Sequence, residues 1–162
     1  MLHTKTIYSS LIALFILFSV NAQKVNGNYN YKTSCVDVES DGSQTLLTWG
    51  KGRNRTDAVE QAKKNAVSDI LFIGILDGNS ICTKRPLLPE VNARERYEDY
   101  FNAFFKDGGD FKQYVSLKDE RIGDHIFRDK KKSSNGVNLS VVVRVLVPEL
   151  KARLKKDGII KK

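Results

Sequence analysis

From Cys35 to Ser40 apolar and polar positions alternate, with Val36 and Val38 on one side and Asp37 and Glu39 on the other. That spacing predicts a half-buried strand. Asp41-Gly42 is a hairpin signal, and Thr45 to Trp49 continues as a second strand. Beyond Gly50-Lys51-Gly52 the period lengthens. Val59, Ala62, Ala66, Ile70 and Ile73 recur at spacings of three and four, one face of a helix that begins near Thr56 or Asp57. Ala58, Ala62 and Ala66 keep part of that surface small, so the helix can lie close to a sheet. Glu60 and Lys64 form a favourable exposed pair at i, i+4. Gly74 and Asp77-Gly78-Asn79 punctuate the end.

Ser80 to Lys84 reads as a short strand or an extended loop carrying Cys82. A second helix is predicted over 90–106, stopped by Gly108-Gly109. In it Tyr97, Phe101 and Phe104 share a face, with Tyr100 and Phe105 at its margins. Packing against the sheet is the main reading of these rings, and a groove for a partner or glycan the other. Phe111 to Lys118 alternates again and predicts a strand. Two more strands, 122–131 and 137–147, are joined by Ser133-Ser134-Asn135-Gly136. In the last, Val137, Leu139, Val141, Val143, Val145 and Val147 face one way while Val142 and Leu146 partly cover the other, which makes it central. Pro148 fits the first turn of a terminal helix over 149–156. The order predicts an α+β fold: a mainly antiparallel sheet with helices packed on one face, a two-layer single domain over 34–162.

Residues 1–22 do not belong to that pattern. Lys5 precedes the apolar run Leu11 to Phe18, and Val20-Asn21-Ala22 stands before Gln23. This is the layout of a signal peptide, cleaved after Ala22. The run is shorter than the roughly 20 apolar residues that span a bilayer, and no later run reaches that length. The protein is therefore expected to be exported, periplasmic or secreted, with no transmembrane span after cleavage. Residues 23–33 are polar and read as a flexible N-terminal arm. Export changes the meaning of Cys35 and Cys82, the two cysteines of the chain. In an oxidising compartment such a pair is expected to form a disulfide, with two buried thiols as the alternative.

The 162 residues carry 27 Lys and Arg against 19 Asp and Glu, a formal net charge of +8, which favours acidic partners. Lys51, Arg53 and Arg55 lie just before a helix N-terminus, where backbone N–H groups attract anions. Arg128, Lys130, Lys131 and Lys132 cluster in the later hairpin. Both sets are anion-binding candidates, with solvated surface charge as the plainer reading. Aromatic residues are not interleaved with them, so nucleic acid is not expected; an envelope protein or an anionic envelope component is. Gly50-Lys51-Gly52 is not a dinucleotide fingerprint, because the third glycine position falls on Arg55. His125 is the single histidine after Ala22, it lies in a predicted strand, and no nucleophile motif accompanies it. Asp107 and Asp110 flank Gly108-Gly109, and nothing fixes their separation. No catalytic, metal-binding or cofactor-binding residue is assigned.

The stretch Trp49-Gly50-Lys51-Gly52, followed by Asp57-Ala58-Val59 with Ala62 and Ala66, has the form strand, G-x-G, short loop, alanine-rich helix. The later Val141-Val142-Val143-Arg144-Val145 leads into Pro148-Glu149-Leu150, Leu154 and Gly158-Ile159-Ile160. Over roughly 45–75 and 137–160 the chain resembles the LPP-type family of small envelope lipoproteins, related to the N-terminal domain of the flagellar assembly protein T. The lipidation cysteine of lipoprotein members is absent. The resemblance implies an α+β envelope module that binds or assembles with other proteins and has no recognised catalytic residues. Together the readings point to an exported, non-enzymatic interaction or assembly module. The alternatives are a hydrolase acting on envelope glycans or peptides, or a secreted anion-binding effector. Exported protein is expected to begin at Gln23; N-terminal sequencing that returns Met1 contradicts the signal.

Overall fold

The computed structural model describes residues 32–118, 130–133 and 136–160. They form a mixed sheet and four α-helices. β1 (Ser34–Val38) and β2 (Gln44–Gly52) make an antiparallel hairpin, followed by α1 (Arg55–Phe72). β3 (Asp77–Gly78) is two residues long and runs parallel to β1. Then come α2 (Ala93–Arg96), α3 (Glu98–Phe105) and a 3-10 helix (Asp110–Tyr114) that leads into β4 (Val115–Leu117). β5 (Lys130–Ser133), β6 (Gly136–Val145) and α4 (Val147–Lys156) complete the chain. The strand order is β3-β1-β2-β6-β4, and β5 pairs with β6 on the edge that β4 also uses. These residues belong to one unit, Tyr31–Lys162. Among the described residues no helix is long and apolar enough to cross a membrane.

β6 is central, as its doubly apolar pattern requires. Its Leu139, Val141, Val143 and Val145 are fully buried and lie opposite Gly50, Thr48, Leu46 and Gln44 of β2. α1 covers this face. A Cβ added to Gly50 would stand 1.9 Å from the Ala58 carbonyl oxygen and 2.4 Å from the Ala62 nitrogen; one on Gly52 would stand 2.4 Å from the Ala58 nitrogen. Helix backbone thus rests almost directly on strand backbone, and Ala58, Ala62 and Ala66 are fully buried in the contact. Asn65 donates to the Trp49 carbonyl oxygen at 2.8 Å and holds the same register. The helix turns one position from the predicted face. Ala58 takes the buried place expected for Val59, and Ile73 lies exposed beyond the helix end.

The aromatic cluster is core. Phe101 and Phe104 are buried, and Tyr97, Tyr100 and Phe105 pack at their margins. Phe101 meets Phe72 of α1 edge to face at 4.9 Å, and Phe105 reaches Phe111 at 5.9 Å. The helices therefore share one layer. α4 joins it through Arg153, which pairs with Asp157 and Asp110, and through the Tyr100 hydroxyl, which donates to Asp157 at 2.7 Å.

Three expectations are corrected. The strand over 111–118 begins only at Val115. Phe111 and Tyr114 are both buried three residues apart, while Gln113 is exposed, and a 3-10 turn satisfies that spacing where a strand would not. The helix over 90–106 is two short helices interrupted at Tyr97, the first beginning at Ala93. In β1 the partners step from Cys35↔Leu46 to Asp37↔Thr45, so Val36 is an extra, bulged residue and is exposed. The disulfide is formed: Cys35 of β1 bonds Cys82 of the loop after β3, with Cα atoms 5.8 Å apart. Closing 47 residues lowers the entropy of the unfolded chain, which stabilises the fold by about 4 kcal/mol.

Gly50→Ala is expected to cost about 3 kcal/mol, because the added methyl runs into the backbone of α1 at Ala58 and Ala62. Gly108→Ala meets nothing within 4 Å and strains only a φ of 76°, so about 1 kcal/mol is expected there. Urea unfolding of the two variants measures the difference.

Candidate functional site

Besides a cleft of about 290 Å³ lined by Arg94, Glu95, Glu98, Phe101 and Asn102, two clefts with charged residues lie at the ends of α1. The larger, about 350 Å³, lies where β2 hands over to α1. Lys51, Arg53, Asp57, Glu60, Gln61 and Lys64 line it from that side, and Asp107, Gly108 and Lys112 close it from the segment after α3. Asn54 caps α1: its side chain accepts from the Asp57 N–H at 2.9 Å. Asp57 then stands in the first turn, where its charge favours the helix dipole, and Arg53 bonds it at 3.2 Å. The helix N-terminus expected to attract an anion therefore already carries a carboxylate.

The other cations are similarly engaged. Lys64 pairs with Asp107 at 2.8 Å, and Lys112 with Glu60 at 2.8 Å. Lys63 also reaches Glu60, at 3.3 Å, so the predicted Glu60–Lys64 pair is replaced by Glu60 with Lys63 and Lys112. Burial would raise the Glu60 carboxyl, but the two ammonium groups outweigh it and hold the group below its ordinary range. The Lys64 hydrogen bond does the same for Asp107. Sequence reading placed Lys64 only in an exposed pair with Glu60 and gave Lys112 no role at a site. They reach the cleft through tertiary packing, α1 meeting the segment after α3, which no local pattern encodes.

Of the anion candidates, Lys51 and Arg53 line this cleft, and Arg55 opens α1 outside its lining. Lys130, Lys131 and Lys132 lie on β5 opposite Leu139, Asn138 and Val137. Because Asn138 also pairs with Lys51, the sheet aligns Lys51, Asn138 and Lys131 in one cross-strand row. The two basic stretches thus come to the same end of the sheet. Arg128 and His125 lie outside the described residues, as do 122–129 of the predicted strand.

The smaller cleft, about 210 Å³, lies at the opposite end of α1. Lys32, Thr33, Asp69, Ile73, Gly74, Leu76 and Asp77 line it. α1 stops here because Gly74, at φ 84°, turns the chain, and the N–H groups of Ile73 and Gly74 both donate to the Asp69 carbonyl oxygen. A Cβ on Gly74 would stand 2.0 Å from the Lys84 carbonyl oxygen, so the loop lies tight against the helix end. Ile75 donates to Thr83, Leu87 to Ile70 and Leu88 to Leu71, which braces the segment on both sides. Even so, Ile73 and Leu76 are 58% and 67% exposed.

Inside the groove the Thr33 hydroxyl donates to the Asp69 carboxylate, and Thr33 and Thr48 hydroxyls are 3.1 Å apart in a buried contact. Burial pushes the Asp69 carboxyl above its ordinary value, against the pull of Thr33. Among the described residues no cation forms an ion pair with it. Lys32 instead pairs with Asp77 at 3.7 Å, both side chains well exposed. Sequence reading did not single out Asp69. It stands among the polar positions of an amphipathic helix, and its burial comes from Thr33 folding over it.

Compared with known proteins, the chain matches no family model, no curated protein and no solved structure.

The raised Asp69 has a signed consequence. Its folded pKa lies above its unfolded one, so ionisation works against folding at neutral pH, and protonation relieves that cost as pH falls through the folded pKa. Asp69→Asn keeps an acceptor for Thr33 and carries no charge. It is expected to be more stable than the parent at pH 7, with the gain fading as pH falls toward the ordinary carboxylate range. Thermal unfolding of both proteins across pH checks it.

Proposed function

We propose that this chain is an exported, non-enzymatic envelope protein that works as a protein-interaction or assembly module. The observation that carries the reading is the braced groove beside β3. Large apolar side chains are normally exposed singly, and neighbouring ones on a fixed segment mark interaction surfaces. Ile73 and Leu76 are such a pair, held by the helix stop at Gly74 and by the loop that the Cys35–Cys82 bridge ties to β1. A surface fixed before binding loses little conformational entropy on docking.

The signal-like segment 1–22 supports an extracytoplasmic setting for the bridge. The resemblance to small envelope lipoproteins falls on β2–α1 and β6–α4, the halves of the molecule that pair to make the core. The cation-rich cleft lends less support to an anion-binding effector, because Arg53, Lys64 and Lys112 already have carboxylate partners. In the cation-rich cleft the carboxyls of Glu60 and Asp107 are held ionised, so that cleft lacks the protonated acid a carboxylate hydrolase needs; Asp69, whose carboxyl is raised, lies in the groove, where it accepts from Thr33.

A photo-crosslinking amino acid at position 76 is expected to form adducts with an envelope protein in intact cells. The same group at the exposed Lys151 of α4 is expected to form none. No adduct at 76, or turnover of envelope glycans or peptides by the purified protein, overturns the reading.

A further inference from the structure

We infer that the groove beside β3 receives a basic, apolar segment of another protein: a lysine or arginine set against Asp69, with flanking apolar side chains on Ile73 and Leu76. This rests on the interaction-module reading and adds the chemistry of the occupant. The argument is one of complementary charge. The chain as a whole carries +8, yet the lining of this groove holds two carboxylates, Asp69 and Asp77, against the single cation Lys32. Lys32 answers Asp77 across 3.7 Å in an exposed pair, which contributes little and is easily displaced.

Asp69 is placed differently. It is half-buried, its carboxylate accepts from Thr33, and no cation of the described residues pairs with it. A cationic side chain entering the groove would stabilise the Asp69 carboxylate in place of the hydration that burial has taken away. The walls on either side are apolar, so the stem of that side chain and its neighbours gain contact as well. Self-association through this groove is the poorer occupant, because two copies face to face would set Asp69 and Asp77 of one against the same carboxylates of the other.

The test uses the disulfide-bonded protein, isotope-labelled for amide NMR, and three blocked octapeptides: alternating Lys and Leu, alternating Glu and Leu, and alternating Lys and Ser. The Lys–Leu peptide is expected to shift the amides of Thr33, Asp69 and residues 73–77. Asp69→Asn and Leu76→Ser should each weaken it about fivefold, the contribution of one modest contact. The other two peptides should bind more weakly. Leu76→Ser alters an exposed side chain, so it carries the test should Asp69→Asn fail to fold. The inference is overturned by any of four results: equal binding of the Glu–Leu or the Lys–Ser peptide, shifts mapping elsewhere, no shifts up to millimolar peptide, or dimerisation through these residues without peptide. Adducts at position 76 together with a preference for the Glu–Leu peptide would leave the interaction module standing and remove only this occupant.

Discussion

The approach of α1 to β2 across Gly50 and Gly52 is the constraint on which the rest of the molecule depends. Where helix and strand backbones nearly touch, no side chain separates them, and the helix axis is fixed by the strand rather than by adjustable packing. The helix start is thereby set against the end of β2, and the larger cleft forms there. The helix end is set against β3, and the smaller groove forms there. Both clefts are consequences of one contact and of the length of α1.

The two ends are stabilised by different means. At the β2 end, charge holds the structure: Asn54 caps the helix, and carboxylates and cations pair around it. At the β3 end the restraint is covalent and steric. Cys35–Cys82 ties the loop to β1, and Gly78, at φ 87°, permits β3 to lie where a Cβ would stand 2.3 Å from the Cys35 carbonyl oxygen. Salt would screen the first end and leave the second largely untouched. A surface meant to stay exposed and apolar gains from the second kind of support, since it need not bury itself to remain ordered.

Much of the fold could be read from periodicity. The odd positions of β6, the alanine stripe of α1, Pro148 at the start of α4 and the aromatic face of α3 all lie where their spacing puts them. The cysteine pair needed one further inference, the compartment. What was hidden shares a cause: local pattern does not report tertiary competition. Phe111 to Lys118 alternates well enough for a strand, but burial of Phe111 and Tyr114 against α3 and α1 wins at its start. Val36 reads as inward until a bulge turns it out. Gly50-Lys51-Gly52 fails as a dinucleotide fingerprint already in sequence, but that its glycines serve close packing shows only in the fold. Asp69 shows nothing in sequence, because its significance lies in Thr33, which stands just before β1, 36 residues away along the chain.

The place of β6 in the chain bears on how the molecule is made. It is flanked by β2 on one side and by β4 and β5 on the other, yet among the described strands it is the last in the chain. Until it arrives, β2 has one open edge, and β4 and β5 have no template at all, since both pair with β6. The β1–β2 hairpin, α1 and the cysteine loop can assemble earlier, with Cys35 and Cys82 both present long before β6 emerges. A chain threaded through a membrane from its N-terminus would therefore acquire its covalent bridge first and its central strand near the end. Such non-local closure makes for slow folding and leaves an unpaired strand edge exposed in the interval. For an exported chain, the order of oxidation and sheet completion would follow from this topology, and a partner that guards the open edge of β2 would act before the fold exists.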